Sequence, residues 1–324
     1  MIKRLFYFLA AAAVLVSTAA CQKSAGAGGE AEAVFDVEFA QNPATKVDGV
    51  SEAALIDRLD VFVYDASGAY LSTIVPTVTK TDQTHYKVKI RLINNVTYSF
   101  AFFAQKSGTY AYSANKRNVT VDYSAIPANA DAADAFYTSI ANYRVDGTFT
   151  RPVTLKRPFA QINFGSIKAD YQAAEASQVT FDANLKTAIV VKQAPTVLDL
   201  LTGAVSSPVD ASFPSATYMG NTGGCSTLTV SEKAFPGAAP VRYMGMVYIL
   251  AADGDATTVS KVGMTVSGKQ NGNSFSTTRE VTNVPVHRNY RTQIVGNVFT
   301  DEGTFNITVD PVYASPDENK NLNM

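Results

Sequence analysis

Tryptophan is absent from this 324-residue chain, and cysteine and histidine occur twice each. Each scarcity excludes something. His85 has no second histidine or cysteine near it, and neither has His287, so the ligand spacing of a tetrahedral zinc site is missing. A lone histidine in a β-protein reads as a hydrogen-bonded structural group. The order of a Ser-His-Asp triad varies between folds, but no Gly-x-Ser-x-Gly elbow occurs. No glycine loop follows a strand and opens a helix to cradle phosphate. Asp253-Gly254-Asp255 and Asp317-Glu318 lack the fixed ladder of a calcium loop, and the first reads as a turn. Asn95-Val-Thr, Asn118-Val-Thr and Asn306-Ile-Thr fit the N-glycosylation pattern and read as strand sequence. The chain is therefore expected not to be an enzyme and to need no cofactor or metal. Charged residues make up only 17 % of it, with 27 basic against 28 acidic side chains. A near-neutral chain has no electrostatic drive toward nucleic acid.

What the chain does have begins at its first residues. Lys3 and Arg4 precede Leu5–Val16, in which only Tyr7 carries a polar atom, and Ser17-Thr-Ala-Ala20 follow. A basic head, a short apolar run and small residues describe a secretory signal over residues 1–20; the run is too short to span a bilayer. Cys21 at the cleavage point resembles the lipobox of bacterial lipoproteins, although Thr18 stands where leucine is usual. Cys21 is then the lipidated first residue. Each buried acyl methylene contributes ~0.8 kcal/mol, so two palmitate-length chains hold a protein at a membrane. Residues 21–33, dominated by Gly, Ala and Ser, read as a flexible tether. Losing Lys3 and Arg4 leaves 25 basic residues against 28 acidic, a net −3. With Cys21 acylated, Cys225 is the sole remaining cysteine. No internal disulfide is then available, and stability rests on packing. Cys225 lies in loop-like Asn221-Thr-Gly-Gly-Cys225 and reads either as a free thiol or as a small buried hydrophobe, the second slightly favoured.

Period-two alternation dominates the remainder. Phe35, Val37 and Phe39 alternate with Asp36 and Glu38; Tyr86, Val88, Ile90 and Leu92 alternate with Lys87, Lys89 and Arg91. Leu59–Tyr64 reads as a strand ending in the turn Asp65-Ala-Ser-Gly68, and Val96–Phe103 as a strand buried on both faces. Further strands are predicted at 118–123, 151–155, 159–164, 179–183, 187–192, 227–230, 242–251, 259–267, 275–281 and 305–309. Helical pattern is scarce: Ala128–Ile140 and Ala53–Ile56 read as short helices or turns. The reading is an all-β chain of two tandem β-sandwiches, 34–168 and 169–313, followed by a polar tail at 314–324.

Three segments together are distinctive: Leu59-Asp-Val-Phe-Val-Tyr-Asp65, Val153-Thr-Leu-Lys-Arg-Pro-Phe-Ala-Gln-Ile-Asn-Phe164, and Asn283–Asn297 with the strand 305–309 after it. From about residue 34 to 313 the chain resembles the fimbrillin-like lipoproteins of Bacteroidales, the subunits of type V pili. The resemblance implies two transthyretin-like sandwiches, export as an outer-membrane lipoprotein, and location at the cell surface or in a fimbrium with other fimbrial subunits as partners. It also implies trimming of the N-terminal strand by a trypsin-like protease, polymerisation by strand donation and a contribution to adhesion. Read physically, cutting away Val34–Phe39 would leave an apolar groove and unpaired backbone groups, which call for a new strand. Phe305, Ile307 and Val309 form an alternating set able to fill one. The loop 41–49 is polar, with Pro43 and Gly49, the kind of segment proteases cut; its one basic residue is Lys46, where the family more often has Arg. A surface glycan-binding lipoprotein is the alternative. It would share the anchor and sandwiches, and tyrosines would stand in for the tryptophan platforms such sites favour.

Overall fold

The computed structural model describes residues 29–40, 55–221, 227–228, 230, 235–300 and 304–310. The first half forms β1 (Glu30–Phe39), β2 (Arg58–Asp65), β3 (Thr77–Lys80), β4 (His85–Ile93), β5 (Thr97–Gln105), β6 (Ala111–Tyr112), β7 (Asn118–Thr120), β8 (Ala135–Arg144) and β9 (Phe149–Leu155). Then come β10 (Phe159–Ser166), the helix α1 (Lys168–Ala176), β11 (Lys186–Asp199), β12 (Val205–Thr217), β13 (Thr227–Leu228) and β14 (Val241–Leu250). β15 (Thr257–Gln270), β16 (Asn273–Val286), β17 (Arg291–Gly296) and β18 (Phe305–Asp310) complete the chain.

These strands make two sandwiches. The first faces a four-stranded sheet, β3-β4-β1-β9, with a three-stranded one, β2-β5-β8. The second is built on the sheets β13-β14-β10-β17-β18 and β16-β15-β11-β7-β6, with β12 added on β11. Strand alternation sorts residues between cores. Phe100 and Phe102 of β5 enter the first core, while Ala101 and Phe103 enter the second. The β2-β5-β8 sheet thus has a core on each side, which is why β5 reads apolar throughout. Tyr110 stacks on Phe159 at 5.4 Å beside this shared sheet.

The structure departs from the sequence reading in several places. β1 begins at Glu30, so Glu30–Ala33 are strand rather than tether: Ala31 and Ala33 continue the inward stripe of Phe35 and Val37. Ala128–Ile140 is not a helix. A 3₁₀ turn at Asp131–Ala133 is followed by β8, because pairing with β5 buries Ala135, Phe136 and Tyr137, and that tertiary burial outweighs alanine's strong helix preference. Val179–Ala183 contributes one bridge, Val179 to Gln270, since Asp182 turns the chain by accepting the Asn184 amide. Phe159–Phe164 does not close the first run of strands. It lies in the second sandwich, antiparallel to β14 and parallel to β17, and β6 and β7 also join a sheet of that sandwich. Sheet membership therefore does not divide at residue 168. α1 fills the stretch 167–177 that reads as polar and alanine-rich.

Buried polar groups tie the two distinctive segments together: the Arg157 amide donates to Asn289 Oδ1 at 3.3 Å. Arg157, between β9 and β10, pairs with Asp134 at 2.8 Å, both almost fully buried, and its guanidinium lies 4.6 Å over Phe136. Arg288 donates to the carbonyls of Ala251 (2.9 Å) and Gly203 (2.6 Å). The two most distinctive sequence segments thus carry the joints of the fold.

Candidate functional site

β1 is the element on which the functional expectation turns. Its sequence, EAEAVFDVEF, places Ala31, Ala33, Phe35, Val37 and Phe39 on one face, each 3 % exposed or less. Phe35 meets Phe100 at 5.1 Å and Phe102 at 5.3 Å, and Phe39 stacks on Phe136 at 4.7 Å. β1 is an interior strand, antiparallel to β4 on one side and parallel to β9 on the other. Without it, both neighbours would lose a row of backbone partners, and the rings of Phe100, Phe102 and Phe136 would face an open slot. Outside the sheet, Glu32, Asp36 and Glu38 stand opposite Arg91, Lys87 and His85. Asp36 lies 3.6 Å from Lys87, Glu32 4.0 Å from Lys89 and Glu38 3.7 Å from His85. Thr154 Oγ1 of β9 also donates to Glu38.

β18 differs in every respect. Among the described residues it is the edge strand of its sheet, antiparallel to β17, with Ile307 opposite Ile294 and Phe305 opposite Gly296. Gly296 lets the strand close in: a Cβ there would sit 2.1 Å from the Thr304 carbonyl oxygen. Phe305, Ile307 and Val309 are only half-buried. The structure therefore groups Phe35, Val37 and Phe39 in the first core and rests Phe305 and Ile307 against the second. It does not bring the two sets together. Cys21, Lys46, Cys225 and the tail from Ser315 lie outside the described residues.

The remaining sequence candidates sit in structural surroundings. His85 shares Asp82 with the amide of Thr84, and these bonds hold the Asp82 carboxyl down at about 2. His287 Nδ1 donates to the Arg288 carbonyl at 2.8 Å, and its ring meets Tyr290. Asp253 accepts the amide of Gly254, as a turn residue does. Among the described residues no three His, Cys, Asp or Glu side chains are grouped to hold a metal, and no helix is long and apolar enough to cross a membrane. A cleft of about 340 Å³ lies beside Tyr171, Glu175, Phe181, Tyr218 and Arg242. Arg242 covers one face of Tyr171 (4.4 Å) and of Phe181 (4.1 Å) and pairs with Glu175. Sequence reading missed the cationic row on β4, although the alternation of Lys87, Lys89 and Arg91 was its signal.

A family of unknown function, DUF6562, matches the chain over residues 26–324. The chain belongs to that family. No curated protein matches it in sequence. Among solved structures it is similar to the tip fimbrial protein Mfa3 of Porphyromonas gingivalis, with C-terminal truncation, at 11 % identity and TM-score 0.44, covering 87 % of this chain and 99 % of that one. It is similar to the fimbrial anchor protein Mfa2 of the same organism at 12 % identity and TM-score 0.40, over 86 % and 97 % of the two chains. A Bacteroides uniformis protein, provisionally described as a cell adhesion protein, shares 12 % identity at TM-score 0.46 over 90 % and 100 %. At these distances the functional reading rests on this chain's own strands.

Proposed function

We propose that this DUF6562 chain is a structural subunit of a cell-surface fimbrium, exported and anchored through Cys21 and assembled by exchange of strands between subunits, so contributing to adhesion. The observation that carries the reading is the position of β1. It is an interior strand with a wholly buried stripe, and it leads into the chain at Lys46 where a cut would release it. A groove of that depth, with unpaired edges on both sides, is filled by β-augmentation. β18, half-buried on an open edge, is the strand available for donation. A two-residue period requires Phe305, Ile307 and Val309 to enter a groove together.

The test is limited trypsin treatment of the wild-type chain in a surface extract that contains its fellow fimbrial subunits, followed by electron microscopy. The treated extract should yield fibres that carry this chain, and an extract with Lys46→Gln should not. Ile307→Asp puts a carboxylate on the donated apolar face, where it is costly charged or neutral; the variant should remain folded by circular dichroism and fail to polymerise. An Ile307→Asp protein that forms normal fibres would overturn the role of β18. In cells, Cys21→Ser should abolish incorporation of labelled fatty acid and release the protein; a wild type that takes up no label would overturn the anchor.

A further inference from the structure

The outward faces of β1 and β4 carry opposite charges. Along β4 the cations Lys87, Lys89 and Arg91 recur at every second residue, with His85 below them; along β1 stand Glu30, Glu32, Asp36 and Glu38. The ion-pair partners of Lys87 and Lys89 both lie on β1. β4's other neighbour, β3, sets Thr77 opposite Lys89 and Thr79 opposite Lys87 and brings no acid. On the far side of β1, β9 presents Thr150, Pro152 and Thr154 outward, all uncharged. Among the described residues, the charge that faces the β4 cations across the sheet is thus supplied by the strand in the β1 position.

The chain's own β18 is a poor match for that position. Running as β1 does, with Phe305 in the place of Phe35, it would set Asn306 opposite Lys87 and Thr308 opposite His85. Asp310 is its sole acid in any frame. Opposite charges directly across a sheet favour pairing, and their loss leaves like charges in a row to repel each other.

We propose that the groove beneath β1 selects by charge an acidic strand from a different subunit, rather than β18 of another copy of this chain. The strand it takes has small or apolar residues at the inward positions and carboxylates at the outward positions opposite Lys87 and Arg91, as Asp36 and Glu32 stand in β1, with Lys89 opposite Val34 and reaching Glu32 diagonally. This rests on the reading of β1 as replaceable. It makes the chain a junction: it accepts an acidic strand from one kind of neighbour and gives β18 to another.

The experiment uses the full chain, nicked by trypsin in the 41–54 connection and mixed with fluorescent peptides. One has the sequence of residues 30–40. The second is the same peptide with Glu30→Gln, Glu32→Gln, Asp36→Asn and Glu38→Gln. The third has the sequence of residues 304–310. The acidic peptide should enter the protein at least about tenfold faster than the other two at low salt, the scale set by the half-exposed pairs of Lys87 and Lys89 together with Glu32 facing Arg91. That advantage should shrink between about 0.01 and 1 M salt, as the screening length falls from roughly 30 to 3 Å. In the full chain bearing Lys87→Glu, Lys89→Glu and Arg91→Glu the preference for acid should vanish; the salt series tests the same point without the variant, should it fold poorly. Equal uptake of the acidic and neutral peptides at low salt would overturn charge selection and leave strand replacement standing. Equal uptake of the 304–310 peptide would point to self-assembly and overturn the proposal. Failure of all three, the chain's own sequence included, would overturn the replaceable strand and this inference with it.

Discussion

At the scale of single residues the aromatic side chains show how finely alternation allots positions. Phe100, Phe102 and Phe103 lie within four residues, yet Phe102 stacks edge-on to Phe35 in one core and Phe103 meets Tyr110 edge-on in the other. Truncating Phe102 to Ala removes a fully buried ring and should lower stability by ~3–5 kcal/mol, read by chemical denaturation; an unchanged midpoint would contradict its placement. The Asp134–Arg157 pair is almost dry. Removing one member of such a pair typically costs about 3–5 kcal/mol, because the other charge stays buried. Arg157→Leu should therefore destabilise the protein as much as loss of a core ring, and the same denaturation series checks it.

At the scale of elements, α1 owes its place to Asp170. The helix has no side-chain cap at Ile167. Instead Asp170 turns away from the helix end, accepts the Ser166 hydroxyl, and gathers the amides of Val298, Phe299 and Thr300. One buried carboxylate thus fixes the start of α1 to the exit of β17. Asp170→Ala would strip three backbone donors of their acceptor, each unsatisfied group costing roughly 1–3 kcal/mol. Hydrogen exchange at residues 298–300 should accelerate sharply in that variant while the β5 amides stay protected; unchanged exchange would show that the loop is held by other means. The same scale explains β12. It carries Pro208 and Pro214 and pairs, among the described residues, with β11 alone; on such an edge strand a proline is tolerated because its missing N–H need not cost a ladder bond.

At the scale of the whole molecule, the two cores share the β2-β5-β8 sheet, and buried tyrosines crowd its neighbourhood. Burial pushes the phenols of Tyr64, Tyr110, Tyr112 and Tyr123 well up, and that of Tyr86 to about 12. The sign follows directly. The folded state keeps these protons above pH 10, where an unfolded chain with ordinary phenols near 10 gives them up. Their contribution is whole below pH 10 and is lost as pH rises toward 12 and beyond. The melting temperature should fall steeply across pH 10–12, with tyrosinate absorbance appearing together with unfolding; phenols that titrate at pH 10 in a still-folded protein would contradict their burial.

Side-chain alternation is a local property that a strand carries wherever it pairs, so the all-β class and the inward stripes are legible in the chain alone. The sequence by itself placed Phe35, Val37 and Phe39 on one face, and the both-sided burial of β5, for that reason. Only the tertiary structure decided which strands are neighbours. Phe159–Phe164 reads equally well as the end of one sheet or the middle of another, and its pairing with β14 and β17 settled the choice. Glu30–Ala33 became strand because β4 extends to meet it, and Ala135–Ile140 became strand because β5 offered an open edge. The charge ladder between β1 and β4 was written in both strands, but its meaning depended on their register. Backbone partners far apart in the chain are chosen by the shape and burial of the whole core, which no local window contains.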